Sequence, residues 1–436
     1  MTKNSYKMLK TQKLGIHLHL FKSLSIFLVL FVSMVPPSLA DDIAFEEPLT
    51  LIDAMTLAVK YHPLVASREG DYQAALGDLS AARWSAFPTP SYSARGLFDS
   101  GSQNSFSLSQ PLWTGGRLSG NIELAESRRD NAVANIVEVE QILLEDSARA
   151  FIEFHRANSK LTISVDNVTE HKRLFDIIDR RVKAAISPEV DAMLAKARLA
   201  FARSQVLQNT SAKEVARSEL EQLIGRAVNN VSAPVRFSAS LVPLSDIENA
   251  AIAFSPKLRA IQSEIAALNA NARIASSALY PQVSLGYERR FGELLFAQER
   301  EQVFVALEFQ PGAGLASRSS ISASKARVRA AMKTLAASRR ELRRKVQIAW
   351  REYESARLQL SPSRQLVSAT TEVVSSYLRQ YTVGRKSWLD VLNAQREVVQ
   401  AQHTLADYEA IELIASYQIR LLSGALNKNT LSDSNE

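Results

Sequence analysis

Asn104-Ser105-Phe106-Ser107-Leu108-Ser109-Gln110-Pro111-Leu112-Trp113-Thr114-Gly115-Gly116-Arg117 decides the fold. Serines alternate with Phe106 and Leu108, the two-residue period of a strand with one polar and one apolar face. Gln110-Pro111 closes the strand, and Gly115-Gly116 makes a loose corner. From Arg117 to Ile186 no glycine or proline follows except Gly120. At ~1.5 Å per residue such a helix reaches about 100 Å, far beyond the roughly 11 to 12 residues of a mean globular helix. A short strand therefore feeds a helix too long for a compact domain.

The same succession occurs twice. His62-Pro63 returns as Ser255-Pro256 and Pro88 as Pro281, each 193 positions on; Asp191 returns as Asp390 and Gly225 as Gly424, each 199 on. Gln110-Pro111 returns as Gln310-Pro311. Fixed landmarks at a steady offset mark a duplicated unit. The first copy is assigned to residues 41–244, with strands near 90–98 and 104–112, long helices over 117–186 and 188–224, and a linker over 226–244. The second covers 245–424, with strands near 282–291 and 302–311 and long helices over 317–383 and 387–423. A kink or brief swelling is expected at Pro362, and a polar, disordered tail over 425–436.

Residues 1–40 read as a signal peptide. Lys3, Lys7, Lys10, Lys13 and Lys22 precede an apolar run from Leu24 to Val35, and Ser38-Leu39-Ala40 supplies the small residues of a cleavage site. The formal charge of +7 includes those five lysines, so the mature chain carries +2 and no basic footprint for nucleic acid. Cysteine is absent, which excludes disulfides, thiolate metal sites and a lipidated cysteine anchor.

No second long apolar run exists, so membrane insertion requires a closed barrel, the other structure that satisfies every backbone group in lipid. Each copy supplies one hairpin with strands of about nine residues, enough for a tilted crossing. Four strands leave open edges; three chains would pool twelve. Phe106, Leu108, Val283, Leu285, Tyr287, Val303, Val305, Leu307 and Phe309 are then expected to face lipid. Ser105, Ser107, Ser109, Ser284, Glu288, Glu308 and Gln310 would face the lumen, with Phe304 against the rule. The fold class is mainly α with a small β part: long antiparallel coiled-coil helices plus four strands building a 12-stranded trimeric outer-membrane barrel.

The ordered set resembles the TolC-type outer-membrane efflux protein family over essentially the whole mature length. The matching segments are Leu49-Thr50-Leu51-Ile52-Asp53-Ala54 with His62-Pro63, Leu108 to Trp113 running into Gly115-Gly116-Arg117, and above all Tyr381-Thr382-Val383-Gly384-Arg385-Lys386-Ser387-Trp388-Leu389-Asp390-Val391-Leu392-Asn393-Ala394. The resemblance implies a homotrimer in outer-membrane lipid with a periplasmic tunnel, a periplasmic adaptor, and an inner-membrane transporter of ABC type. It implies a pore constriction at Asp390, with Asn393 where some relatives carry a second acid, giving three carboxylates rather than six. It implies a gate clamp of Asp191, Tyr381 and Lys386, and adaptor docking at Val383, Gly384, Arg385, Ala185 and Ile186. Ala185 stands where the family has glycine, so the two tips need not dock alike. Phe309-Gln310-Pro311-Gly312-Ala313-Gly314-Leu315 is similar to the subgroup paired with type I exporters of large adhesins, and so is the tip from Gly384 to Asp390.

The function expected is an exit duct for type I secretion. The alternatives are a drug-efflux duct of a proton-driven pump and a soluble periplasmic coiled-coil scaffold. No catalytic, cofactor-binding or metal residues are assigned. His62, His155, His171 and His403 lack the spacing of a metal site, no nucleophile elbow or phosphate loop is present, and His155 and His171 are expected on a helix surface. The basic run Arg339, Arg340, Arg343, Arg344 and Lys345 reads as a solvated face pairing with acids of a neighbouring helix, ahead of a lipopolysaccharide or cargo contact.

Overall fold

The computed structural model describes residues 48–97, 101–236, 242–292, 299–313 and 316–432. The predicted leader, Asp99-Ser100 of the first hairpin turn, residues 237–241 of the linker, Gly314-Leu315 and the last four residues of the tail lie outside these.

The first copy contains α1 (Leu51–Tyr61), α2 (Pro63–Trp84), β1 (Thr89–Leu97), β2 (Gly101–Trp113), α3 (Arg117–Lys183) and α4 (Glu189–Ile224). The second contains α5 (Leu244–Phe254), α6 (Pro256–Ser277), β3 (Gln282–Gly292), β4 (Glu301–Glu308), α7 (Ala316–Thr382) and α8 (Trp388–Ser423). Corresponding helices have equal lengths of 11, 22, 67 and 36 residues. The shared prolines explain one boundary: His62 and Ser255 cap helices that begin with Pro63 and Pro256, a position where the missing N–H costs nothing.

Packing repeats as well. α1 buries Leu51, Met55 and Ala58 against Leu143, Leu144, Phe151 and Phe154 of α3, Leu220 and Ile224 of α4, and Leu413 and Tyr417 of α8. α5 lays Ile247 and Ala251 on Val346, Ala349 and Tyr353 of α7 and on Ala415 and Ile419 of α8. Alanines dominate the remaining seams, including Ala125, Ala132, Ala394, Ala401 and Ala406, and small side chains let long helices run close together.

The strands form one antiparallel sheet in the order β1-β2-β3-β4, with β2 against β3 joining the two copies and a bulge between Pro111 and Trp113. Residues directly opposite share a face. Ser91, Ser107, Glu288 and Gln302 form a polar row, and Pro90, Leu108, Tyr287 and Val303 an apolar one. Ser91 and Ser107 hydroxyls lie 2.7 Å apart, Ser93 and Ser105 2.8 Å. Phe304 falls on the polar face, opposite Gly286, and its ring covers the glycine so closely that a Cβ there would clash with it. The exception to the alternation is thus an aromatic ring filling the space that a missing side chain leaves. β1 and β4 remain as unpaired edges among the described residues. No described helix is long and apolar enough to cross a membrane.

Three expectations change. α7 runs α-helical through Pro362 without the brief swelling expected there. Part of the tail is ordered: Lys428–Ser432 forms α9, and Lys428 Nζ pairs with the nearly buried Glu140 carboxylate at 2.6 Å. His171 is buried, not on the surface, because its face of α3 turns toward α4 and α8. In the basic run, Arg343 approaches Glu248 of α5 at 3.9 Å and Arg344 approaches Glu341 at 3.7 Å.

Candidate functional site at the helical tips

The α3–α4 and α7–α8 hairpins turn through the same backbone motif. In the first, the Ile186 amide donates to the Arg181 carbonyl at 2.8 Å and Ala185 to Val182 at 2.9 Å; in the second, Arg385 donates to Gln380 at 2.9 Å and Gly384 to Tyr381 at 3.1 Å. This double bond pattern ends a helix with one left-handed residue. Gly384 has φ +76° and Ala185 φ +54°, the latter the only non-glycine residue with positive φ among the described residues. Ala185 bears a conformational cost of roughly 1–2 kcal/mol that Gly384 avoids.

The two turns then diverge. α8 starts with a capping box: Ser387 Oγ accepts from the Asp390 amide at 3.1 Å, and Asp390 Oδ2 accepts from the Ser387 amide at 3.0 Å and its hydroxyl at 2.9 Å. Those bonds, with the Lys386 charge behind them, hold the Asp390 carboxyl below its ordinary value. Pro188 occupies the N-cap of α4 and has no side-chain cap bond, so Asp191, at the same place in its helix, has no such partner.

An apolar cluster joins the two hairpins. Leu174 and Ile178 of α3, Ala195 of α4, Tyr381 of α7, and Trp388, Val391 and Leu392 of α8 are buried together. Trp388 is 1% exposed, with its ring 5.0 Å from that of Tyr381. The Tyr381 hydroxyl lies 2.9 Å from Ser187 Oγ, which also accepts from Arg181 Nε at 3.3 Å, while the Arg181 guanidinium stacks 5.0 Å over the Tyr381 ring. Lys386 Nζ lies 4.3 Å over the Tyr377 ring.

Within one chain, then, Tyr381 meets Ser187 rather than Asp191, and Lys386 meets Tyr377. Asn393 is half-buried one turn beyond Asp390. Val383, Gly384 and Arg385 are exposed at one tip, Ala185 and Ile186 at the other, where Val190 and Met193 continue the apolar surface. Sequence reasoning did not single out Ser187, Arg181, Tyr377 or the cap role of Ser387. Only the last had a local signal, a serine three residues before an acid at a helix start; the others depend on two hairpins meeting.

Comparison with known proteins fits this architecture. A family model described as outer membrane efflux protein matches residues 57–226 and 248–425, one span in each copy. Protein CyaE of Bordetella pertussis is 25% identical over 409 residues, covering 88% of this chain and 86% of that protein. The pyoverdine export outer membrane protein OpmQ of Pseudomonas putida is 24% identical over 292 residues, 64% and 61% of the two chains. The crystal structure of a membrane protein from Pseudomonas aeruginosa superposes with a TM-score of 0.77 at 18% identity, covering 86% of this chain and 90% of that one. The doubled helical architecture, the paired tips and the family match agree: this chain belongs to the outer membrane efflux protein family, a channel protein of the Gram-negative outer membrane with its helices extending as a tunnel into the periplasm.

Proposed function

We propose that three copies assemble into one channel-tunnel, a passive exit duct working with a periplasmic adaptor and an inner-membrane transporter, with no catalysis of its own. The observation that carries this reading is the four-stranded sheet with β1 and β4 unpaired, because open edges are not viable in hydrocarbon and sister chains can pair them. Exposed apolar residues along α4 and α7 (Phe201, Leu207, Leu358, Leu366) offer further surface for sister chains to cover. Size measurement of the detergent-extracted protein tests it: three copies are expected, and a stable monomer would overturn it.

At the tips, three Asp390 carboxylates would ring the axis, attracting cations and disfavouring anions. Asp390→Asn keeps an acceptor for the Ser387 bonds while removing charge, so loss of cation preference in a planar bilayer isolates the ring; an unchanged preference rejects it. Asp191, free of any intrachain cap, would reach Tyr381 and Lys386 across the assembly and clamp the gate. Val383, Gly384, Arg385, Ala185 and Ile186 would meet the adaptor.

The cargo we infer is a large secreted adhesin delivered by an ABC-type transporter, supported by the subgroup resemblance of the sequence from Phe309 to Leu315 and of the Gly384 to Asp390 tip. A small-molecule cargo is the second reading, favoured by the relative named for pyoverdine export. Deleting the gene separates them: loss of a surface protein supports the first, and heightened sensitivity to toxic small molecules with secretion intact supports the second.

A further inference from the structure

Above the tips, α3, α4 and α8 line a partly open cavity of about 240 Å³, several times the ~30 Å³ share of one water. His171, Arg198, Arg396, His403, Asn167 and Gln400 line it, and no carboxylate does among the described residues. Neither arginine has a carboxylate partner among the described residues. The acids that act on the two histidines are engaged with other bases: Glu170 with Arg173 at 2.5 Å, and Asp407 with Arg156 at 2.9 Å and Lys160 at 2.6 Å. His171 is 6% exposed with Nδ1 unbonded, and Arg198 Nε is likewise buried without a partner. Buried donors of this kind are normally satisfied, and two unmatched guanidiniums lining one cavity repel each other. Burial lowers the pKa of both imidazoles, helped by Arg198 at His171 and by Lys160 at His403, so the cavity's positive charge near neutral pH rests on the arginines.

We propose that this cavity binds a small oxyanion, such as phosphate or sulfate, held between Arg198 of α4 and Arg396 of α8 with amide donors around it. The two arginines belong to different hairpins and lie six or seven residues beyond Asp390 and Asp191, about 10 Å along the helices from those aspartates. A bound anion therefore ties the two coiled coils together close to the gate.

Calorimetric titration of the purified full-length protein in detergent with inorganic phosphate, at fixed ionic strength, tests the site. A saturable heat is expected, with a parallel rise in Tm. Arg198→Gln and Arg396→Gln should each weaken affinity about tenfold or more, the scale of a lost charge-assisted hydrogen bond. General salt stabilisation does not saturate and would persist in both variants. Absence of a saturable heat, or unaltered affinity in both variants, overturns the proposal. Arg396 is exposed, so its variant keeps the test sound if Arg198→Gln fails to fold.

Discussion

The two tips share a backbone and differ in almost everything else. Both helices end in the same pair of reverse-turn bonds, one at Ala185 and one at Gly384. The second tip is closed on itself: Ser387 and Asp390 satisfy each other, and Trp388 is buried beside Tyr381. The first is open: proline takes the cap position, Glu189 is exposed where the second has Trp388, and Ile186, Val190 and Met193 point outward. Duplication thus preserved a shape while its chemistry diverged: one tip has a side-chain cap and a buried tryptophan, and the other has neither.

The largest effect should come from the position where this divergence is greatest. Trp388→Ala should cost about 3–5 kcal/mol through cavity formation, whereas Glu189→Ala at the equivalent place should stay within about 0.5 kcal/mol. Chemical denaturation of the two variants measures both, and equal costs would erase the contrast. Next come the polar links. Ser387→Ala should destabilise by about 1 kcal/mol through loss of the cap, and Ser187→Ala by roughly 0.5–1.5 kcal/mol through loss of the Tyr381 bond. Hydrogen exchange of the tip amides should show the first loosening α8 and the second loosening the contact between hairpins.

The glycine position tests the shared backbone. Gly384→Ala should cost about 1 kcal/mol, while Ala185→Gly should stabilise by less than that, since relief of strain is offset by a freer unfolded chain. Thermal unfolding distinguishes the signs. The smallest effect concerns acid. The folded-state pKa of Asp390 lies below the ordinary 3.8, so its contribution is present above that value and is lost as the pH falls through the lowered one. In a chain whose other tryptophans are replaced by Phe, Trp388 fluorescence should report this loosening, and Ser387→Ala should remove most of the dependence.

Much of this was legible without coordinates. Repeated prolines and glycines announced the duplication, serine alternation announced the strands, and the absence of breakers announced the long helices, because backbone restriction and side-chain period act over a few residues. Ser387 and Asp390 belonged to the same class of local signal. Phe304 did not, since its reason is Gly286 on another strand. The burial of His171 depends on which face of α3 meets α4 and α8. Pro362 signalled an interruption, yet the surrounding helix remains α-helical through it.

By itself the sequence determined the order of elements, their lengths, the doubled plan and the family to which the chain belongs. These follow from local torsional preference and from apolar period. Tertiary structure alone decided that β2 pairs with β3 to make one sheet, that Tyr381 reaches Ser187, and that Arg198 and Arg396 line one cavity. Each of these joins residues more than a hundred positions apart, and only packing sets which distant side chains come within bonding range.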